Sequence, residues 1–404
     1  MKLISCFLLF ISLNIPAIKL KGQDTSKENN NVIQFFGNSP KHFDRLFKSF
    51  NDLIIRGEGM INIVHIGDSH IQADFFSGQV RKRLVSEIAS GCGSRGLLFP
   101  YRIARTNNPV DYFVKFTGNW ESCRNVEYNK FCQLGLTGIM VKSKDSISEI
   151  TFHFRDVSSG DFNTIRIYHN TSENSFQFEF PGLEGKYIIQ NASSPGYTQI
   201  LFKEFQTDSL KIRITRKDTL NKYFNLYGVE FGNGDAGIIY SSTGVNGAEV
   251  ISFLRCDLLT GQLATVKPGL VIISLGTNDA YPVKFDKTTF MENYKDLIRN
   301  IRKIDPDLPV LLTIPGDSFR KRRYVNKNLP VLREAIFDVA KETDCAVWDF
   351  YSIMGGTKSI QKWYKAGLAA KDKLHFSKAG YIIQGNLLSD SLLDAYSTFI
   401  DRTK

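Results

Sequence analysis

The sequence predicts an α/β fold: a three-layer parallel-sheet domain interrupted by an all-β sandwich insert. Three observations predict it. Apolar strands alternate with amphipathic helices at both ends of the chain, the middle alternates with period two, and polar turns close two of the apolar strands.

Taken in order, Met1–Gln23 reads as a secretory signal, with Lys2 as its charge and Leu3–Ile18 as a short apolar stretch. A retained N-terminal anchor is the other reading. The stretch is short for a membrane span, and the mature chain is expected to hold no stable one. A polar linker, Gln23–Asn31, follows. His42–Ile55 carries Phe43, Leu46, Phe47, Phe50 and Leu53 near helical spacing, and Gly57 and Gly59 stop it. Met60–Ile66 reads as a buried strand that ends in Gly67-Asp68-Ser69-His70. Phe75–Ile88 is again helical, with Val80, Leu84 and Ile88 on one stripe.

From about Leu97 to Gly234 the pattern changes. Segments such as Ile150–Phe154, Thr164–Tyr168 and Leu210–Ile214 alternate between two faces, and turn-rich clusters separate them. Several short alternating strands without a helix suggest an all-β sandwich. After position 235 the α/β rhythm returns. Val271–Leu275 is a strand leading into Gly276-Thr277-Asn278-Asp279, and Phe290, Tyr294, Leu297, Ile298 and Ile301 mark a helix ending before Pro306. Val310–Ile314 is a strand, Leu329–Lys341 a helix, Ala346–Phe350 a strand, and Ser377–Phe399 a closing helix. The expected division is therefore 1–23 as signal, 24–96 as the first part of the α/β domain, 97–234 as the insert and 235–404 as the second part.

Composition narrows the class. A chain of 404 residues is long for one core, which favours two domains. Export permits disulfides, and after Cys6 five cysteines remain: Cys92, Cys123, Cys132, Cys256 and Cys345. An odd count leaves at least one unpaired, and proximity favours Cys123–Cys132 as a bridge. No Cys/His spacing resembles a zinc site. The net charge of +10 suits an anionic polymer such as a cell-wall glycan, and equally a merely solvated surface. No nucleic-acid-binding motif appears, so no nucleic-acid partner is expected.

The chemistry gathers at three points. After position 169 the chain has one histidine, His375, in Asp372-Lys373-Leu374-His375. A serine hydroxyl needs a base, and His375 can serve Ser69, with Asp372 fixing the imidazole tautomer. Asn278, the Ser69 backbone N–H and Gly247 are candidate oxyanion donors, the glycine because it lets a backbone N–H approach a substrate closely. Ser69 and Asn278 both follow strands of a parallel sheet, where ligand sites collect. This set needs no cofactor and no metal. Each motif is weak alone; their order carries the inference.

At these residues the chain resembles the SGNH (GDSL-type) hydrolase superfamily. Its blocks match Gly67-Asp68-Ser69, Gly244-Val245-Asn246-Gly247, Gly276-Thr277-Asn278-Asp279 and Asp372-Lys373-Leu374-His375. The resemblance implies Ser69 as nucleophile, Gly247 and Asn278 as oxyanion donors, and Asp372 with His375 completing the triad. One departure is His70, where the name-giving motif has leucine; a residue beside the nucleophile usually points elsewhere, so it is the lesser candidate for the base. The longer run Gly67–Phe76, the glycine-rich Gly91–Tyr101 and His375-Phe376-Ser377-Lys378-Ala379-Gly380-Tyr381 narrow the likeness to exported peptidoglycan O-acetylesterases with a carbohydrate-binding-like insert. That implies an exported serine esterase, periplasmic or secreted, removing O-acetyl groups from a glycan. An O-acetyltransferase with the same triad and a deacetylase of capsule or plant glycans are the alternatives.

Weaker features remain. Gly91, Gly93 and Gly96 fit G-x-G-x-x-G but follow a helix, so a dinucleotide site fails on context. Arg320-Lys321-Arg322-Arg323 either borders the site or is a solvated charge run. Trp120, Tyr112 and Phe113 either stack on sugars or fill the core, and Trp363 and Tyr364 either line an acyl pocket or pack the last helix.

Overall fold

A six-stranded sheet runs in the order Ile33–Phe35, Ala346–Asp349, Val310–Ile314, Leu270–Ser274, Met60–Gly67 and Gly237–Gly244. All are parallel except Ile33–Phe35, which adds antiparallel to the edge against Ala346–Trp348. The structure is a computed structural model and describes residues 31–88, 93–155, 161–170, 175–191, 196–218 and 222–403. The expected signal Met1–Gln23, and Gly91 and Cys92 of the glycine-rich run, lie outside the described residues.

Alternation along each strand divides two apolar cores. Ile61 and Ile63 point to the side where Phe43, Val80 and Leu388 pack, from the helices Ser39–Arg56, Phe75–Ile88 and Lys378–Thr403. Val64 and Ile66 point to the opposite side, with Leu297 and Leu332 from the helices Lys287–Arg302 and Asn328–Glu342. The result is three layers with the sheet in the middle.

Between Gly96 and Gly232 the chain builds two antiparallel sheets. One contains Phe162–His169 and Phe224–Gly232 as central strands, and Ile139–Ser143 and Trp120–Arg124 toward one edge; the other runs Tyr112–Thr117, Ile147–Phe154, Ser209–Arg216 and Phe176–Glu179. Phe152 and Phe154 of the second sheet meet Phe231 of the first edge to face, at 5.4 and 5.2 Å between ring centroids, so the sheets pack as a sandwich. Its apolar interior is continuous with the Leu297 side of the parallel sheet. Cys123 and Cys132 are bridged, and Cys256 and Cys345 are buried thiols.

Several elements carry too little periodicity to be read from sequence. The strand Ile33–Phe35, the helices Val250–Leu254, Leu259–Val266, Phe350–Met354 and Ser359–Lys365, and the hairpin Phe319–Arg320 with Tyr324–Val325 are each under nine residues. A stripe repeated every 3.6 residues needs more length than that to show. Among the described residues, no helix is long and apolar enough to cross a membrane.

Candidate active site

The strand Met60–Gly67 runs beside Gly237–Gly244 with Gly67 paired to Gly244 at their carboxyl ends. There the chain turns sharply into the one-turn helix Ser69–Gln72. Asp68 caps that turn by accepting from the His70 N–H at 2.9 Å. Gly244 makes the crossing possible: a Cβ on it would lie 2.2 Å from the Gln72 backbone nitrogen. Ser69 thus stands at the top of the sheet with its hydroxyl in a half-buried position.

The 372–375 segment is a self-organised turn. Asp372 accepts from the backbone N–H groups of Leu374 and His375, both at 3.0 Å, through one carboxylate oxygen. Its other oxygen lies 2.7 Å from His375 Nδ1. The turn is docked by the Ala369–Phe376 bridge and by Ala370 N–H donating to the His375 carbonyl. His375 Nε2 then lies 2.9 Å from Ser69 Oγ, across 306 residues of sequence. The structure therefore brings together the three residues named from sequence.

Electrostatics follow from these contacts. Burial works to raise the Asp372 pKa, yet the hydrogen bonds from the His375 ring and two backbone N–H groups hold it well below the ordinary carboxylate range. The bond to Asp372 raises the His375 pKa, against the opposing pull of burial. Asp68 is pushed up to about 6 by burial, only partly offset by the His70 N–H and the nearby His375.

The other two blocks close over the same point. Gly247 adopts φ +82°, in the left-handed region, with open space where a side chain would stand. Asn278 donates to the Ala248 carbonyl at 2.9 Å and lies 3.4 Å from Asp68 Oδ2. Asp279 accepts from the Val250 N–H at 3.1 Å, and burial raises its pKa to about 7. The Gly276–Asp279 turn thus grips the chain just after Gly247, at Ala248 and Val250.

His70, the lesser candidate for the base, is turned away. Its Nδ1 bonds to the Tyr381 hydroxyl at 2.9 Å, and its buried Nε2 has no partner. Burial, with the neighbouring His375, lowers its pKa to about 3. Its ring packs against His375 at 5.1 Å and helps hold that imidazole in place.

Sequence reasoning missed two supports. His65 lies inside the apolar strand, with Nδ1 2.7 Å from Tyr240 Oη and Nε2 2.6 Å from Ser274 Oγ, which in turn meets Thr313 Oγ1 at 2.7 Å. This buried chain ties four adjacent strands beneath the site, and burial keeps His65 neutral, with a pKa near 3. Gln72 is the second. Its amide donates to Thr106 Oγ1 and to Asn107, while its carbonyl accepts from the Asn246 N–H at 2.8 Å. A histidine in an otherwise apolar strand was the available signal for His65; nothing local marked Gln72.

Of the weaker candidates, Tyr112 is a core residue, buried with its hydroxyl on the Phe99 carbonyl, because its strand position faces the sandwich interior. Phe113 stacks on His153, Trp363 packs between Phe350 and Phe376, and Tyr364 stands near Lys373. The 320–323 run forms the tip of a hairpin whose Phe319 N–H donates to the Lys373 carbonyl, so it borders the site. Trp120 lines a surface cavity of the sandwich.

The GDSL-like lipase/acylhydrolase family model matches residues 217–383, a stretch that takes in Gly247, Asn278, Asp372 and His375; Ser69 lies upstream of it. A solved structure described as a peptidoglycan O-acetylesterase in action superposes over 91% of this chain and 99% of its own, at TM-score 0.72 and 23% identity. A family two carbohydrate esterase from Clostridium thermocellum, complexed with cellohexaose, is 12% identical over 70% of this chain and 99% of its own, at TM-score 0.31. A carbohydrate esterase family 3 structure from Talaromyces cellulolyticus is 16% identical over 41% of this chain and 73% of its own, at TM-score 0.32. No curated protein matches in sequence. The chain thus resembles the SGNH superfamily in both its matched segment and its fold.

Proposed function

We propose that this carboxylic ester hydrolase of SGNH fold is an exported enzyme that removes O-acetyl groups from a polysaccharide, namely peptidoglycan. The observation that carries the reading is the continuous chain Ser69 Oγ, His375 Nε2, His375 Nδ1, Asp372 Oδ2, with links of 2.9 and 2.7 Å. Such a chain activates a hydroxyl for attack on a carbonyl. The likeness in fold to a peptidoglycan O-acetylesterase supports the substrate class.

In this reading Ser69 Oγ attacks the acetyl carbonyl while its proton passes to His375 Nε2. The Gly247 and Ser69 backbone N–H groups and the Asn278 amide receive the oxyanion. The carbon–oxygen bond to the sugar breaks as His375 returns its proton to the departing alkoxide. Water, deprotonated by His375, then attacks the acetyl carbon; the bond to Ser69 Oγ breaks as His375 returns the proton to that oxygen, and acetate leaves. The side chains of His375 and Asp372 are more than a third exposed, which gives water access and favours hydrolysis over transfer to a second sugar.

The test compares wild type with Ser69→Ala for acetate release from O-acetylated peptidoglycan, acetylated xylan and an aryl acetate. Serine-dependent release that favours peptidoglycan is the expected result. Preference for xylan would replace the substrate. Equal release by both proteins would remove Ser69 as the nucleophile. Acetyl delivered to an added sugar in preference to water would make the enzyme a transferase.

A further inference from the structure

Lys373 lies inside the turn that carries the base, one residue after Asp372 and two before His375. It adopts φ +54°, in the left-handed region. A residue other than glycine is uncommon there and persists only where its surroundings fix it. Three contacts fix this one. Its N–H donates to the Ala370 carbonyl at 3.0 Å, and its carbonyl accepts from the Phe319 N–H at 2.8 Å. Its ammonium stands over two rings at once, 5.3 Å from the centroid of Phe319 and 5.3 Å from that of Tyr364. Phe319 is buried, and a cation over a ring is held more strongly where water is partly excluded.

Both rings of that clamp are anchored. Phe319 belongs to the hairpin Phe319–Arg320 with Tyr324–Val325, whose base is closed by the Asn326 N–H on the Ser318 carbonyl at 3.3 Å. Tyr364 belongs to the helix Ser359–Lys365, and Asp317 accepts from the Ile360 N–H of that helix at 3.0 Å. Asp317 stands two residues before Phe319, so one short segment ties the hairpin to the helix.

The same hairpin also reaches the Asn278 block. The Lys321 N–H at its tip donates to the Tyr281 hydroxyl at 3.1 Å, and the Tyr281 N–H donates to the Asn278 carbonyl at 3.1 Å. The hairpin thus spans from the Asp372–His375 turn to the Gly276–Asp279 turn.

We propose that Lys373 is a positioning residue: clamped between Phe319 and Tyr364, it fixes the Asp372–His375 turn, and the hairpin holds that turn in register with the Asn278 block. The inference rests on the roles given to Ser69, His375 and Asp372 in the esterase reading, and adds what keeps His375 at 2.9 Å from the hydroxyl. The charges that act on His375 are those of Asp372 and Asp68, so Lys373 works through geometry.

The test measures aryl acetate hydrolysis against pH by the full-length enzyme as wild type, Lys373→Met, Lys373→Arg, Tyr281→Phe and the Lys373→Met with Tyr281→Phe pair. Methionine keeps the bulk of the stem without the cation, and arginine keeps the cation. Lys373→Met should lower the plateau kcat about tenfold with KM changed less than twofold, and Lys373→Arg should restore most of the loss. The acid limb of the profile should stay in place in both. Tyr281→Phe should lower kcat severalfold, and its cost should shrink in the Lys373→Met background, because both act through one hairpin. Both side chains are half-buried, and a thermal melt verifies folding. A full plateau rate in Lys373→Met, a loss confined to KM or to a shifted acid limb, no rescue by arginine, or additive costs overturns the proposal. A second readout is independent of turnover. The His375 Nδ1 proton shared with Asp372 should give a downfield NMR signal that fades in Lys373→Met and persists in Lys373→Arg. An unchanged signal in Lys373→Met also overturns the proposal. If wild type releases no acetate from the aryl ester, the esterase reading falls, and this signal still decides the part of Lys373.

Discussion

Gln72, buried inside the one-turn helix that begins at Ser69, holds the backbone N–H of Asn246 at 2.8 Å, one residue before Gly247. The turn bearing the hydroxyl and the loop bearing the glycine are thereby set against each other by a single side chain. That side chain is also pinned by Thr106 and Asn107. Gln72→Leu should lower kcat on an aryl acetate by about tenfold to a hundredfold, with KM changed less than twofold, because it would displace the Gly247 N–H, which in the proposed mechanism is an oxyanion donor and acts only on the transition state. Gln72→Glu, which keeps the acceptor for Asn246, should restore part of the loss. A change confined to KM, or no rescue, would show that Gln72 merely packs.

The pH profile tests the Asp372–His375 pair. The base must be neutral, and its pKa is raised above 6.5 chiefly by the bond to Asp372. Activity should therefore fall as pH drops through that raised value. Asp372→Asn removes the attraction, so the acid limb should move to lower pH while kcat falls by about 10²–10⁴. Asp68, titrating near 6, lies in the same range. Asp68 also helps to raise the His375 pKa, so Asp68→Asn should move the limb to slightly lower pH and keep it; a limb that vanishes in that variant would reassign it.

The hairpin tip offers a test by ionic strength. Lys321, Arg322 and Arg323 are exposed beside the Lys373 turn. Replacing all three with serine should slow the reaction on anionic polymer severalfold at low salt, and the difference should vanish by about 0.5 M salt, where the Debye length is only a few ångströms. A deficit that persists at high salt would mean a structural effect instead.

Stability concentrates at Arg95. This buried guanidinium bonds to Asp74, at 2.9 Å, and to Asp111, while Arg81 also reaches Asp74 at 2.8 Å. Asp74 additionally accepts from Ser77 and Ser242, which links the helix after Ser69 to the strand before Gly247. Arg95→Ala should cost about 3 kcal/mol in urea unfolding, because it leaves Asp74 and Asp111 to share Arg81 alone. Adding Asp74→Asn should recover part of that loss. A cost under about 1 kcal/mol would show that water replaces the guanidinium.

Much of this protein was legible in its residues because local order writes itself locally. The strands that end at Gly67 and Ser274 are largely apolar, as sheets buried on both faces require, and the long helices show their stripes. Asp372 and His375 lie within one turn, so their pairing follows from a spacing of three residues. Tertiary structure decided the rest. Only the assembled sheet and the docked turn at 372–375 bring His375 to Ser69, 306 residues away. Gln72, the His65 chain and the clamp on Lys373 likewise arise from residues far apart in sequence. A periodicity signals which face is buried, but not what that face meets, since contact across a fold depends on strand order and packing rather than on neighbours along the chain.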